Sequence, residues 1–120
     1  MSLPRSAFVL VAGMAITAGP ALGHHALAAK YDLQRSVTVT GTVTKFEWTN
    51  PHVRLHLNGA ERDGPRDVMP WEFELASPNL MGLNNFKIDS FRPGDHVTVT
   101  AYPARDGSNF GFAWKISRGH

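Results

Sequence analysis

Cysteine is absent from this 120-residue chain. That excludes a disulfide framework, a lipid-attachment cysteine and a thiol nucleophile together. No twin-arginine pair precedes the apolar start, which favours the general secretion route. No apolar run approaches the ~20 residues that span a bilayer as a helix. Charged residues make up only 18% of the chain and the formal net charge is +2, so there is no electrostatic footprint for nucleic acid despite the basic pI. No Gly-x-Ser-x-Gly elbow, His-Glu-x-x-His helix or phosphate loop occurs. These absences argue against an enzyme of a recognisable class and leave a small binding protein as the expectation.

What is present begins with an export signal. Met1 to Ser6 carries one cation, Arg5, and Ala7 to Ala18 is apolar. Ala21-Leu22-Gly23 places small residues at the −3 and −1 positions of a cleavage site. Residues 1–23 therefore read as a signal peptide, and the protein is expected to be periplasmic or secreted, with no stable membrane anchor after cleavage. Residues 24–120 remain as one domain large enough for a single modest core.

In the mature part, His24 to Gln34 has no clear period and reads as an extended N-terminal arm, residues 24–34. Arg35 to Trp48 reads as a long first strand: Val37, Val39, Gly41 and Val43 hold one phase, then Phe46 and Trp48 the other. That change predicts a β-bulge near Thr44-Lys45, with Gly41 permitting tight coiling. Asn50-Pro51 is a turn signal. His52 to Asn58 is the second strand, and Gly59 to Arg66 a polar hairpin loop. Val68 to Leu75 is the third strand, with Met69, Trp71, Phe73 and Leu75 on one face, Glu72 and Glu74 wetting the other, and Pro70 marking an edge or bulge. Ser77 followed by Pro78 starts a short helix whose Leu80, Met81 and Leu83 plug the barrel end. His96 to Tyr102 and an alternating Phe110, Phe112, Trp114, Ile116 supply two more strands. Three strands, a short helix and two strands form the pattern of an all-β, five-stranded OB-like barrel.

The stretches HHALAAKYD, GTVTKFEWTNPHVRLHL, WEFELASPNLM and RPGDHVTVTAYPARDGSNFGF together resemble an exported bacterial family catalogued as domain of unknown function 6152. The resemblance covers nearly the whole mature chain. It implies a signal peptide, an envelope location and a small β-barrel, and it implies no activity. Where the family often reads His-His-Ser, this chain has His24-His25-Ala26, one hydroxyl fewer.

Candidate chemistry gathers around residues 47–56. Side chains alternate faces along a strand, so Val53 and Leu55 point to a core while His52, Arg54 and His56 share the other face. The ligand or partner surface is expected to comprise Glu47, Trp48, Asn50, Pro51, His52, Arg54 and His56, with Trp48 the most exposed aromatic. Its partner would be an envelope protein or a small ligand, not nucleic acid. The alternative is copper. Cleavage after Gly23 exposes an N-terminal His24-His25, whose amine and imidazole suit Cu(II), and His52 or His56 would complete the site if the arm folds back. Cleavage after Ala21 would instead place His24 third, where amine, two amides and imidazole bind Cu(II) in a plane. His52 and His56 themselves start about 13 Å apart along the strand, too far to chelate one ion unaided. Glu47, Glu72 and Glu74 are the carboxylates that would serve acid–base chemistry if strands one and three brought them together. Solvated glutamates are the commoner outcome at such positions.

Overall fold

Runs of alternating Val, Thr and aromatic residues form strands here because branched side chains pack well on a pleated surface. The computed structural model describes residues 8–9 and 21–119, with side chains from His25 onward. In chain order these are β1 (Phe8–Val9), α1 (Ala21–Lys30), β2 (Val37–Glu47), β3 (Arg54–Glu61), β4 (Met69–Glu74), α2 (Pro78–Leu83), β5 (His96–Pro103) and β6 (Phe110–Arg118). Strands β2 to β6 close into a ring: β6 pairs β4, then β3, β2 and β5 follow, and β5 returns to β6. All five junctions are antiparallel except β4–β6, which is parallel. This is the expected five-stranded OB-like barrel, with α2 between its third and fourth strands.

The expected bulge is present. Val43 pairs Leu57 but Lys45 pairs His56, so Thr44 is the extra residue and the buried phase switches there. Gly41 and Gly59 face each other across the same ladder. A Cβ on Gly41 would lie 2.2 Å from the Asn58 carbonyl oxygen. Only glycine lets the two backbones approach this closely. The second strand runs on through Glu61, past the start expected for the hairpin loop, because residues 58–61 find partners along the long β2.

A second bulge moves Trp114 off the inward face that alternation gives it, while Phe112 and Ile116 stay buried. Thr100 pairs Lys115 and Ala101 pairs Ala113, so Trp114 is passed over. Ala113 is fully buried in its place. The Trp114 indole lies half-buried outside and donates to Ser36 Oγ at 3.3 Å. Three smaller corrections follow the same logic of local ends. Met69, at the first position of β4, is exposed rather than inward, and so is Leu83 at the last position of α2. Met81 is buried as expected and Leu80 packs on the core, with Phe86 and Phe91 buried alongside. Trp48 is half-buried, edge-on against Phe46 at 6.0 Å between ring centres, rather than the exposed aromatic of the turn. Ser77 does cap α2, its Oγ accepting from the Leu80 amide.

The extended arm is also corrected. Residues 24–30 continue the helix α1, in which four alanines and two leucines among ten residues supply helix propensity. Tyr31 then bridges to Ala104 and is 1% exposed. Leu27 packs on the core, and Arg105 holds the end of α1, its Nε donating to the Ala28 carbonyl and its amide to that of Lys30. Within the stretch read as a signal peptide, Phe8 pairs Ile116 and Val9 pairs Lys115 of β6. Residues 1–7 and 10–20 of that stretch lie outside the described residues. No helix among the described residues is long and apolar enough to cross a membrane.

Candidate functional site

The outer face of β2, β3 and β4 carries a ladder of acids and bases. Register makes it: His56 sits between Lys45 on β2 and Glu72 on β4, and Arg54 between Glu47 and Glu74. His56 Nε2 lies 2.7 Å from Glu47 Oε1, while Nδ1 is 3.9 Å from Glu72. Lys45 reaches the other Glu47 oxygen at 3.2 Å, and Arg54 reaches Glu72 at 3.1 Å. Hydrogen bonds from His56 and then Lys45 hold the Glu47 carboxyl below the usual carboxylate range.

At one end of this ladder the sequence reading missed the main feature. Glu74 is not a wetting residue; it is 8% exposed. The end of α1 covers it. Tyr31 donates its hydroxyl to Glu74 Oε1, Lys30 Nζ stands 3.4 Å from that oxygen, and His52 Nδ1 is 2.8 Å from Oε2. Burial alone would push this carboxyl up. The hydrogen bonds from His52 and Tyr31, with the charges of His52 and Lys30, outweigh burial and hold it at about 2. Burial and the neighbouring Glu74 push Tyr31 the other way, well up, so it stays a neutral donor. Tyr31 also stacks on Phe110, and His52 stands edge-on to Phe112 at 6.2 Å. Lys30 at the end of α1 and Tyr31 just after it are 44 and 43 residues from Glu74 in sequence, and nothing in the local pattern announces them.

Of the expected surface residues, His52, Arg54 and His56 do share the outer face, and each is held by a glutamate. Asn50 and Pro51 stand exposed at the tip of the turn, joined by a cis peptide bond. Among the described residues, the candidate copper ligands His25, His52 and His56 do not converge. His25 is exposed on α1, the His24 side chain lies outside the described residues, and His52 and His56 have separate carboxylate partners. Among the described residues, no three His, Asp or Glu side chains converge as a metal site would need.

Beside the ladder is a shallow groove of about 340 Å³. Bulge residue Thr44, His56 and Asn58 of β3, Pro70 to Glu72 of β4, and Ser108 to Phe110 at the start of β6 line it. In barrels of this topology the second and third strands, with the loop between the fourth and fifth, form the ligand face. Pro70 and Trp71 give the groove apolar surface, and Asn58, Glu72 and Asn109 give it polar rims. The sequence reading named His56 here but none of the others as ligand residues, since the groove joins positions some fifty residues apart.

No curated protein and no solved structure matches the chain. A match to the family of unknown function DUF6152 extends over residues 11–113, taking in all of the ladder and the groove up to β6, and the chain belongs to that family.

Proposed function

We propose that this protein is a non-catalytic binding module of the bacterial envelope, taking a small ligand on the outer face of β2, β3 and β4. The observation that carries this reading is the groove between the β3–β4 face and the start of β6. Its position coincides with the face that barrels of this class use for ligands. The non-catalytic part is supported by the state of the titratable groups. Glu47, Glu72 and Glu74 are each engaged by a base, an arrangement that stiffens a face. An envelope location is supported by the order of charged, apolar and small-residue regions in residues 1–23. The contacts of Leu27, Ala28, Lys30 and Tyr31 lie downstream of both candidate cleavage points, so export and processing would keep the end of α1 on the barrel.

The test is an amide shift map of the full chain, recorded during titration with neutral saccharides, peptides and nucleotides. Shifts are expected to cluster at Thr44, His56 to Asn58, Glu72 and Ser108 to Phe110. A map centred on β5, or no shift with any probe, would overturn the reading.

A further inference from the structure

We infer that the groove takes a neutral, hydroxyl-rich ring, a mono- or disaccharide unit; this rests on the groove being the binding site. Charge narrows the choice first. The lining contains no lysine or arginine, and its one carboxylate, Glu72, already accepts from Arg54. His56 is likewise matched by Glu47. A polyanion would therefore meet Glu72 with no unmatched cation among the lining residues, and a cation would compete with Arg54. A neutral ligand disturbs neither pair.

Backbone geometry narrows it again. An extended peptide binds barrels by adding a strand, which needs a row of free amides. Strand β3 is paired on both sides, with β2 and with β4. On the outer edge of β4, the Glu72 amide donates to the Asn109 carbonyl at 3.1 Å. The next amide on that edge would belong to residue 70, two positions back, and proline has none. The edge that opens onto the groove is thus closed to strand addition.

What remains are side-chain groups suited to hydroxyls. Among the described residues, the carboxamides of Asn58 and Asn109 take no hydrogen-bond partner, and both border the groove. A carboxamide offers two donors beside one acceptor, a match for neighbouring hydroxyls that each donate and accept. Beside these amides, exposed Pro70 and half-buried Phe110 offer apolar surface to the C–H face of a ring. Phe110 is fixed for this task, stacked on Tyr31 with Lys30 Nζ 4.7 Å from its ring centre. The volume lies at the low end of small-ligand pockets, roughly 300–1,000 Å³, which suits one or two rings.

The experiment titrates the ¹⁵N-labelled full chain with maltose, cellobiose and diacetylchitobiose at millimolar concentration. A neutral Gly-Ser hexapeptide and an oligothymidylate form separate arms. At least one disaccharide is expected to shift the side-chain NH₂ signals of Asn58 and Asn109 together with the amides of Ser108 to Phe110. Asn58→Ala and Asn109→Ala should each weaken it about tenfold, while Thr98→Ala on β5 leaves it unchanged. Neither asparagine is buried, so a dispersed amide spectrum confirms that each variant folds. Failure of all three sugars, or binding indifferent to both asparagine substitutions, overturns the saccharide inference. If the peptide or the oligothymidylate shifts the groove where sugars do not, the saccharide falls and the groove stands as a binding site. If no probe shifts it, both fall.

Discussion

A carboxylate buried among a tyrosine, a histidine and a lysine links stability to pH in a calculable direction. Glu74 is held at about 2 in the folded protein, against about 4.5 when unperturbed, so the folded state binds its proton less readily than the unfolded chain does. Its stabilising contribution is complete above about pH 4.5 and drains away as pH falls toward 2. The difference corresponds to on the order of 3 kcal/mol. Glu74→Gln should be less stable at neutral pH, and the gap to the wild-type protein should close between pH 4.5 and 2. Urea midpoints at a series of pH values measure this, and a constant gap would mean that Glu74 does not carry the acid limb. Phe73, fully buried, serves as the uncharged comparison. Phe73→Ala should cost about 3–5 kcal/mol through lost transfer energy and a cavity. That is a large part of a total near 5–15 kcal/mol, and a near-neutral urea midpoint shift would contradict the assigned face. The two residues also show what alternation can and cannot tell. Parity along β4 placed Phe73 inward correctly and Glu74 outward correctly. Outward is not the same as wet, because Lys30 and Tyr31 of another segment lie over Glu74, and parity carries no information about what covers a face.

The strands differ in how openly they declare their irregularities. In β2 the valine phase stops at Val43 and the aromatic phase starts at Phe46, so the bulge at Thr44 was visible as a broken period. In β6 the aromatics at 110, 112 and 114 and Ile116 alternate without a break, yet the strand slips at Trp114 and buries Ala113. Small Ala113 fits inward as readily as a large neighbour, so hydrophobicity alone did not mark the slip. The first helix was missed for a related reason: α1 has little amphipathic period, and its helicity comes from alanine-rich composition. Between β2 and β3, the paired glycines let the strands approach too closely for any side chain. Gly41→Ala would place a Cβ 2.5 Å from the Gly59 Cα, and backbone cannot swing aside as a side chain can. A cost of about 3 kcal/mol or more is expected, at or beyond the usual range for overpacking. The neighbouring Thr42→Ala should stay within about 1 kcal/mol. Thermal or urea unfolding of the pair checks the contrast, and equal shifts would show that the close approach relaxes freely.

At the scale of the molecule, the fold was legible because strand spacing, one bulge and the Ser77-Pro78 cap all agree on one topology. The candidate site was legible only in part: His52, Arg54 and His56 share a face as the period required, but their glutamates and the groove depend on closure of the ring. Two predictions follow at this scale. Protein recovered from the envelope should begin at His24 by N-terminal sequencing, and a retained Met1 on membrane-bound protein would remove the proposed location. Copper affinity of the processed protein beginning at His24 should match that of a peptide of its first ten residues. His52→Ala and His56→Ala should move it by less than the roughly tenfold expected of one coordinating imidazole; a larger loss in either variant would restore the copper reading. The ring itself has one weak joint. Six residue pairs join β2 to β5, whereas three join β4 to β6, and that junction alone is parallel. Parallel pairing is slightly weaker per residue, and low-stability regions open locally before the whole unfolds. The barrel should therefore breathe as a hinged sheet, parting at Glu72 to Glu74 while β2–β5 holds. Amides there would exchange with solvent hydrogen sooner than those of Val39 or Val99. The groove straddles that same joint, so whatever occupies it also acts as a latch, and slowed exchange at Glu72 would report occupancy without any need to observe the ligand.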